Sequence, residues 1–177
     1  NGAGKSTCFN LIDGQIRRDA GEILLAGRKI QELAPRQLCQ LGVGRTFQVA
    51  ATFGSMTVRE NVQVALLARA RQLRSPVSGL DAASAREADR LLEQVGMRDQ
   101  AARPCAELAY GDLKRVELAL ALAAAPRLLL MDEPTAGMAP GERGALMQLV
   151  EDIAHAGRIA VLFTEHDMDV VFGHADR

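Results

Sequence analysis

Asn1-Gly2-Ala3-Gly4-Lys5-Ser6-Thr7 reads as most of a phosphate-binding loop opening onto a helix, and that reading decides the fold. A Gly-rich turn lets backbone N–H groups converge on an anion with no Cβ in the way, and the following helix adds the positive end of its dipole. Lys5 supplies a point charge for terminal phosphates, and the Ser6 hydroxyl is placed to bind Mg²⁺. The pattern G-x-x-x-x-G-K-[ST] lacks its first Gly, which would stand before Asn1, so the chain is expected to be an excerpt of a longer subunit, incomplete at both ends.

The bulk composition fits an ordinary globular core: 48% hydrophobic and 24% charged residues. Its 21 basic and 22 acidic residues leave a net charge of −1, so no global field favours nucleic acid or anionic lipid. Cys8, Cys39 and Cys105 are odd in number and lack C-x-x-C spacing, which argues for reduced thiols and against a disulfide framework or zinc site. The most apolar stretch, Leu118 to Met131, is broken by Pro126 and Arg127 and is too short to span a bilayer. With no leader pattern at the start, any membrane role is expected to be peripheral.

Working outward from the loop, a helix is expected over Gly4 to Leu11, a short strand over Gly21 to Ala26, and a helix from Arg36 ended by Gly42. Gly44-Arg45-Thr46-Phe47-Gln48 reads as a strand ending on Gln48. From Val49 to Leu108 the period is helical, which marks a helical subdomain inserted into a core formed by 1–48 and 109–177. Thr57-Val58-Arg59-Glu60 and Ser84-Ala85-Arg86-Glu87 both match a capping box, the second leading to Gly96 as the helix stop. The apolar stripe of the first helix is Val58, Val62, Ala65, Leu66 and Leu73, and Arg74 to Gly79 connects it to the second. A further helix runs from Gly111 to about Ala125. Leu128 to Asp132 and Ile159 to Thr164 read as buried strands, joined by a helix from Pro140 closed by Gly157. Parallel strands with a helical crossover imply an α/β sheet that binds ligands at its strand C-termini, where the opening loop, Asp132-Glu133 and Glu165-His166 all fall.

Chemistry follows from that edge. Asp132 ends a buried strand, the natural place for a carboxylate that shares Mg²⁺ with Ser6. Glu133 projects toward the water that attacks a γ-phosphate, where a base needs only to orient and polarise it. His166 is placed to donate to the same phosphate, and the Gln48 amide, which both donates and accepts, is a candidate for reading Mg²⁺ or water.

Taken in order, Asn1 to Thr7, Gln48, Leu108-Ala109-Tyr110-Gly111-Asp112, Leu128 to Glu133 and His166 resemble the motif set of an ABC-transporter ATPase subunit. The resemblance implies a P-loop NTPase fold with Walker A at Asn1, Gly2, Ala3, Gly4, Lys5, Ser6 and Thr7, and the Q-loop at Gln48. It places the signature motif at Leu108 to Asp112, Walker B at Asp132 and Glu133, and the D-loop at Ala136 to Pro140. His166 falls in its switch region. The wording of Gly44 to Gln48 and Leu108 to Gly111 is similar to the ATPases of branched-chain amino-acid importers.

That likeness further implies ATP and Mg²⁺ as ligands, and two such domains sandwiching two ATP molecules, each between Walker A of one and the signature helix of the other. It implies integral-membrane permease partners on the cytoplasmic face of a bacterial inner membrane, and a periplasmic solute-binding protein acting indirectly. A non-transport ABC ATPase acting on nucleic acid or ribosomes is the alternative, disfavoured by the near-zero net charge and the lack of a long basic insertion. The signature departs from LSGGQ: Ala109 replaces the Ser, Tyr110 the first Gly and Asp112 the Gln, so phosphate contact is expected from backbone N–H groups near Gly111. A helix dipole gives only ~0.3–1 kcal/mol at an exposed site against the ~8 kcal/mol of micromolar binding, so Lys5, Mg²⁺ and several N–H groups must supply the rest.

Overall fold

A computed structural model of the chain describes residues 4–46, 52–70 and 80–176. The expectations for Asn1 to Ala3, Gln48, Leu73 and the Arg74 to Gly79 connection lie outside those residues.

The opening helix α1 (Lys5–Ile12) turns its buried face, Phe9, onto a parallel sheet. That sheet has the order β3 (Val43–Thr46), β4 (Leu128–Asp132), β5 (Ala160–Thr164), with Thr46 opposite Met131 and Asp132 opposite Thr164. Its central strand, β4, is covered on both faces, which is why its sequence is a continuous apolar run. Leu130 meets Phe9, Ile30, Leu38 and Val43 on one side, while Leu129 and Met131 join a second cluster on the other. β5 departs from expectation. Val161 and Phe163 pack on that second cluster, but Ala160 and Leu162 are exposed, on the face where Phe9 packs with Val43 and Leu130.

The first expected strand is also smaller and has a partner. β1 (Leu24–Leu25) pairs antiparallel with β2 (Arg28–Lys29) around Ala26 and Gly27, both at positive φ (48° and 79°), the geometry of a two-residue type I′ hairpin. A short helix α2 (Pro35–Gln40) follows, with Pro at its first position and Gly42 (φ 91°) beyond its end.

Three helices pack over the other face of the sheet: α3 (Val58–Arg69), α4 (Ala82–Gln94) and α5 (Tyr110–Ala123). One continuous apolar cluster runs from Val58 and Val62 through Leu91, Leu92 and Val116 to Leu129 and Met131. The capping box at α3 is present. Thr57 Oγ1 accepts from the Glu60 N–H (3.2 Å), and the Glu60 carboxylate accepts from the Thr57 N–H (2.8 Å). The second expected box is not. Asp81 is the cap of α4, taking the Ser84 N–H at 2.7 Å, and Ser84 is already inside the helix. Glu87, the residue expected to complete that box, pairs with Arg90 one turn on. Asp81 wins because a carboxylate is at least as good an N-cap as a hydroxyl, and the Ser84 hydroxyl is engaged by Gln63 at 2.8 Å.

The stop at Gly96 (φ 70°) forms a full Schellman motif: Gly96 N–H to Glu93 O and Met97 N–H to Leu92 O. At the end of α6 (Pro140–Gly157) the left-handed residue is Arg158 (φ 51°), not Gly157. Gly157 serves packing instead, since a Cβ there would stand 3.0 Å from Ile159 Cδ1.

The Thr57 cap leads to a stability prediction. Thr57→Ala should cost about 1 kcal/mol in chemical denaturation. The Thr57 backbone N–H, then its hydroxyl, hold the Glu60 carboxyl below its ordinary value. Its contribution is therefore complete above the unfolded value of 4.5 and is lost as pH falls through the lowered folded one. Glu60→Gln should flatten that acid limb of the stability profile.

Candidate nucleotide site

The start of α1 leaves several backbone N–H groups without an intrahelical partner, the arrangement by which helix N-termini bind anions. Gly4 takes the left-handed conformation (φ 76°) at its N-cap without a capping side chain, and the first intrahelical bond is Cys8 N–H to Gly4 O at 2.8 Å. The N–H groups of Lys5, Ser6 and Thr7 therefore precede the helix ladder. Ser6 and Thr7 are exposed at this mouth.

At the end of β4, Asp132 is buried, with Oδ1 accepting from Thr164 Oγ1 at 2.7 Å and Oδ2 lying 3.7 Å from Arg45. Glu133 then leaves the strand at φ 49°, a conformation few non-glycine residues adopt. Its N–H is held by Thr164 O (3.0 Å) and Thr164 Oγ1 (3.2 Å). The turn that follows closes by Ala136 N–H to Glu133 O and Met138 N–H to Thr135 O.

Three side chains from three elements meet at this edge. Glu133 Oε1 lies 2.7 Å from His166 Nε2 and 3.9 Å from Lys5 Nζ, and Lys5 Nζ lies 3.3 Å from His166 Nε2. The sequence placed them on one sheet edge; the structure brings their polar atoms within one phosphate's reach. His166 is half exposed and Glu133 is only 19% exposed, so the carboxylate sits beneath the imidazole at a mouth open to solvent.

Ala109 is the N-cap of α5 and offers no capping side chain, as expected of an Ala in that place. Tyr110, Gly111 and Asp112 form the first turn, and Leu113 N–H to Ala109 O is its first helical bond. The near neighbours of this helix start are Gly137, against the Tyr110 ring, and Glu142, beside Gly111. One turn on, Lys114 and Glu117 form a buried pair at 3.0 Å, and burial pushes the Glu117 carboxyl up against the opposing pull of Lys114. A cavity of about 560 Å³ between β3 and α3 is lined by Asp13, Arg45, Asn61 and Glu117, but not by Lys5, Glu133 or His166. The edge where Lys5, Glu133 and His166 meet is thus separate from that cavity.

Hard oxygen donors suit Mg²⁺, and the Ser6 hydroxyl and the Asp132 carboxylate are donors of that kind. Among the described residues no group of three or more His, Cys, Asp or Glu side chains could hold a metal ion.

Several residues that build this edge carry no role in the sequence reading. Arg45, on β3, binds Asn10 Oδ1 at 2.7 Å, pairs with Asp13 and approaches Asp132, so it ties α1 to β3 and to the end of β4. Thr164 links Asp132 to the Glu133 backbone. Glu165 and Asp167 flank His166, and an acid on each side of a strand-end histidine was the available signal. Arg45 stood inside Gly44 to Gln48, yet a guanidinium in a strand has no local pattern that names its partners.

A family profile described as ABC transporter matches residues 1–136. The chain is 37% identical to the high-affinity branched-chain amino acid transport ATP-binding protein LivG of Escherichia coli (strain K12), over all of this chain and 72% of LivG. It is 38% identical to the methionine import ATP-binding protein MetN of Rhizobium johnstonii, over all of this chain and 47% of MetN. Among solved structures, the ADP conformation of the ATP-binding cassette MJ1267 superposes with a TM-score of 0.86 at 32% identity, covering 99% of this chain and 71% of that one. With Lys5, Glu133 and His166 meeting at one edge of a parallel sheet, and with likeness of this extent, the chain belongs to the ABC transporter family as an ATP-hydrolysing P-loop cassette.

Proposed function

We propose that this cassette drives import of branched-chain amino acids through membrane permease subunits, using ATP with Mg²⁺. The observation that carries the site is the convergence of Lys5, Glu133 and His166 within 3.9 Å. The His166 imidazole and the Lys5 ammonium both lie against the Glu133 carboxylate. A γ-phosphate arriving at the mouth of α1 takes both donors, which uncovers the carboxylate for the attacking water. Asn1 to Thr7 cradle the phosphates, Ser6 and Asp132 hold Mg²⁺, and Gln48 contacts the metal or the water. When bound there, Mg²⁺ would offset the negative charge of the phosphates.

An open half-site needs a second surface to exclude water, and the uncapped start of α5 at Ala109 to Asp112 is suited to a partner's ATP. A second ATPase subunit, identical or paralogous, is therefore the first partner. Residues 49–108 act as the helical subdomain between the two core segments. Among the described residues no helix is long and apolar enough to cross a membrane. Peripheral attachment to permeases at the cytoplasmic face of the inner membrane rests on the likeness to importer ATPases. A periplasmic solute-binding protein would act through those permeases.

For the solute, the supporting likeness is to LivG, which this chain spans for 72% of its length, against 47% for MetN. Reconstituting the full-length subunit with its permeases and binding protein tests this. Leucine, isoleucine and valine should stimulate ATP turnover and be accumulated. Stimulation by methionine alone would overturn the assignment of solute.

A further inference from the structure

His166 stands between two acidic neighbours, and each is tied to the segment that leaves β4. Glu165 Oε1 accepts from both the N–H (2.8 Å) and the hydroxyl (2.7 Å) of buried Thr135, while Oε2 accepts from the His166 N–H at 3.2 Å. On the other side, Asp167 Oδ2 meets Arg143 Nη1 at 2.7 Å, and Arg143 Nε donates to the Met138 carbonyl at 3.0 Å. Asp167 Oδ1 also caps α7 (Met168–His174) through the Asp169 N–H. The backbone is thus pinned immediately before and immediately after the imidazole, both times to the turn spanning Glu133 to Met138. The Arg143 side chain also holds the Asp167 carboxyl below its ordinary value, so that acid is ionised at neutral pH.

Stability alone is a weak account of these contacts. The Arg143–Asp167 pair is about a third exposed, and such pairs contribute little to folding. Their common feature is positional: the Thr135–Met138 turn, which begins two residues after Glu133, and the backbone of His166 are tied together on both sides of the imidazole. Gly137, at the centre of that turn, lies against Tyr110 of the α5 start, so a displacement there reaches His166 through the same two ties.

We infer that Glu165 and Arg143 are positioning residues of the ATPase reaction, which set the His166 imidazole against Glu133 by anchoring it on both sides to the Thr135–Met138 turn. This rests on the reading of His166 as a γ-phosphate ligand and Glu133 as the base. A misplacement of about 1 Å at a reacting group can cost on the order of 100-fold in rate, so the ties need not touch substrate to matter.

The test is a set of double-mutant cycles on the full-length subunit, measuring kcat and KM for ATP with thermal unfolding to correct for folded fraction. Glu165→Ala and Arg143→Ala should each lower kcat by about 10-fold or more with KM changed by less than about twofold. Glu165→Gln, which keeps an acceptor oxygen, should lose less. It and Arg143→Lys replace the alanine variants if those fail to fold. In a His166→Ala background the same substitutions should change residual single-turnover rates by less than about twofold. Wild-type kcat in both single variants, or an undiminished loss in the His166→Ala background, would overturn the positioning role while leaving His166 as ligand. Wild-type turnover of His166→Ala itself would overturn both.

Discussion

Glu133→Gln in the full-length subunit lowers ATP turnover by about 10²- to 10⁴-fold, the range expected for loss of a general base, while ATP remains bound. The substitution is nearly isosteric, and the unusual backbone of Glu133 is held by its N–H to Thr164 and not by its side chain, so the turn should survive. Gln can still accept from His166 at the 2.7 Å contact, which keeps the imidazole in place. What disappears is the charge that polarises water. The same change removes a carboxylate 3.9 Å from Lys5, freeing that ammonium for phosphate, so affinity for ATP should hold or rise. An enzyme that binds but does not hydrolyse accumulates in the closed, ATP-loaded dimer, visible as a doubled hydrodynamic mass only with ATP present. Equilibrium nucleotide binding, single-turnover hydrolysis and size-exclusion chromatography measure the three consequences. Turnover at the wild-type rate would remove Glu133 from the base role.

The parts of this site that were legible in the sequence are those with a local signature. The helix after Gly4 announced itself by glycine spacing, and Leu128 to Asp132 by an apolar run ending in acid, because a central parallel strand must be apolar on both faces. Helix stops at Gly96 and starts at Thr57 were likewise written in short-range chemistry. Where competing local signals existed, the sequence misled: Asp81 and Ser84 are both good caps, and only the Gln63 contact with Ser84 shows which one is inside the helix. β5 looked buried because its residues are apolar, yet apolarity does not say which face a neighbouring helix reaches. The ties from Thr135 to Glu165 and from Arg143 to Asp167 join positions 30 and 24 residues apart, a separation at which no period or motif operates. Arg45 is the same case, since its partners on α1 and β4 are set by strand order alone.

Gly111→Asp abolishes nucleotide-driven dimerisation while leaving the isolated subunit folded. In the chain a Cβ at Gly111 would stand 3.4 Å from Glu142 Oε1, an ordinary contact, so the position has room for a side chain. A carboxylate in the first turn gains from the helix dipole and loses to its neighbour Glu142, so the net effect on folding should stay within about 1 kcal/mol. For a γ-phosphate docking on the N–H groups of Tyr110 to Asp112 the balance is different. Two unit negative charges about 4 Å apart repel by about 4 kcal/mol at an effective dielectric of 20, which is on the order of 10³-fold in affinity. Ala109→Ser makes the opposite test, because it restores the hydroxyl of the common signature at an N-cap that now has none. It should stabilise α5 by about 1 kcal/mol and leave ATP-dependent dimerisation unchanged if the contact rests on backbone donors. Analytical ultracentrifugation in the Glu133→Gln background, where the closed state persists, measures both. Should Ala109→Ser strengthen the dimer tenfold or more while Gly111→Asp leaves it intact, the hydroxyl and not the Gly111 backbone is what this surface lacks, and the backbone account of the signature fails.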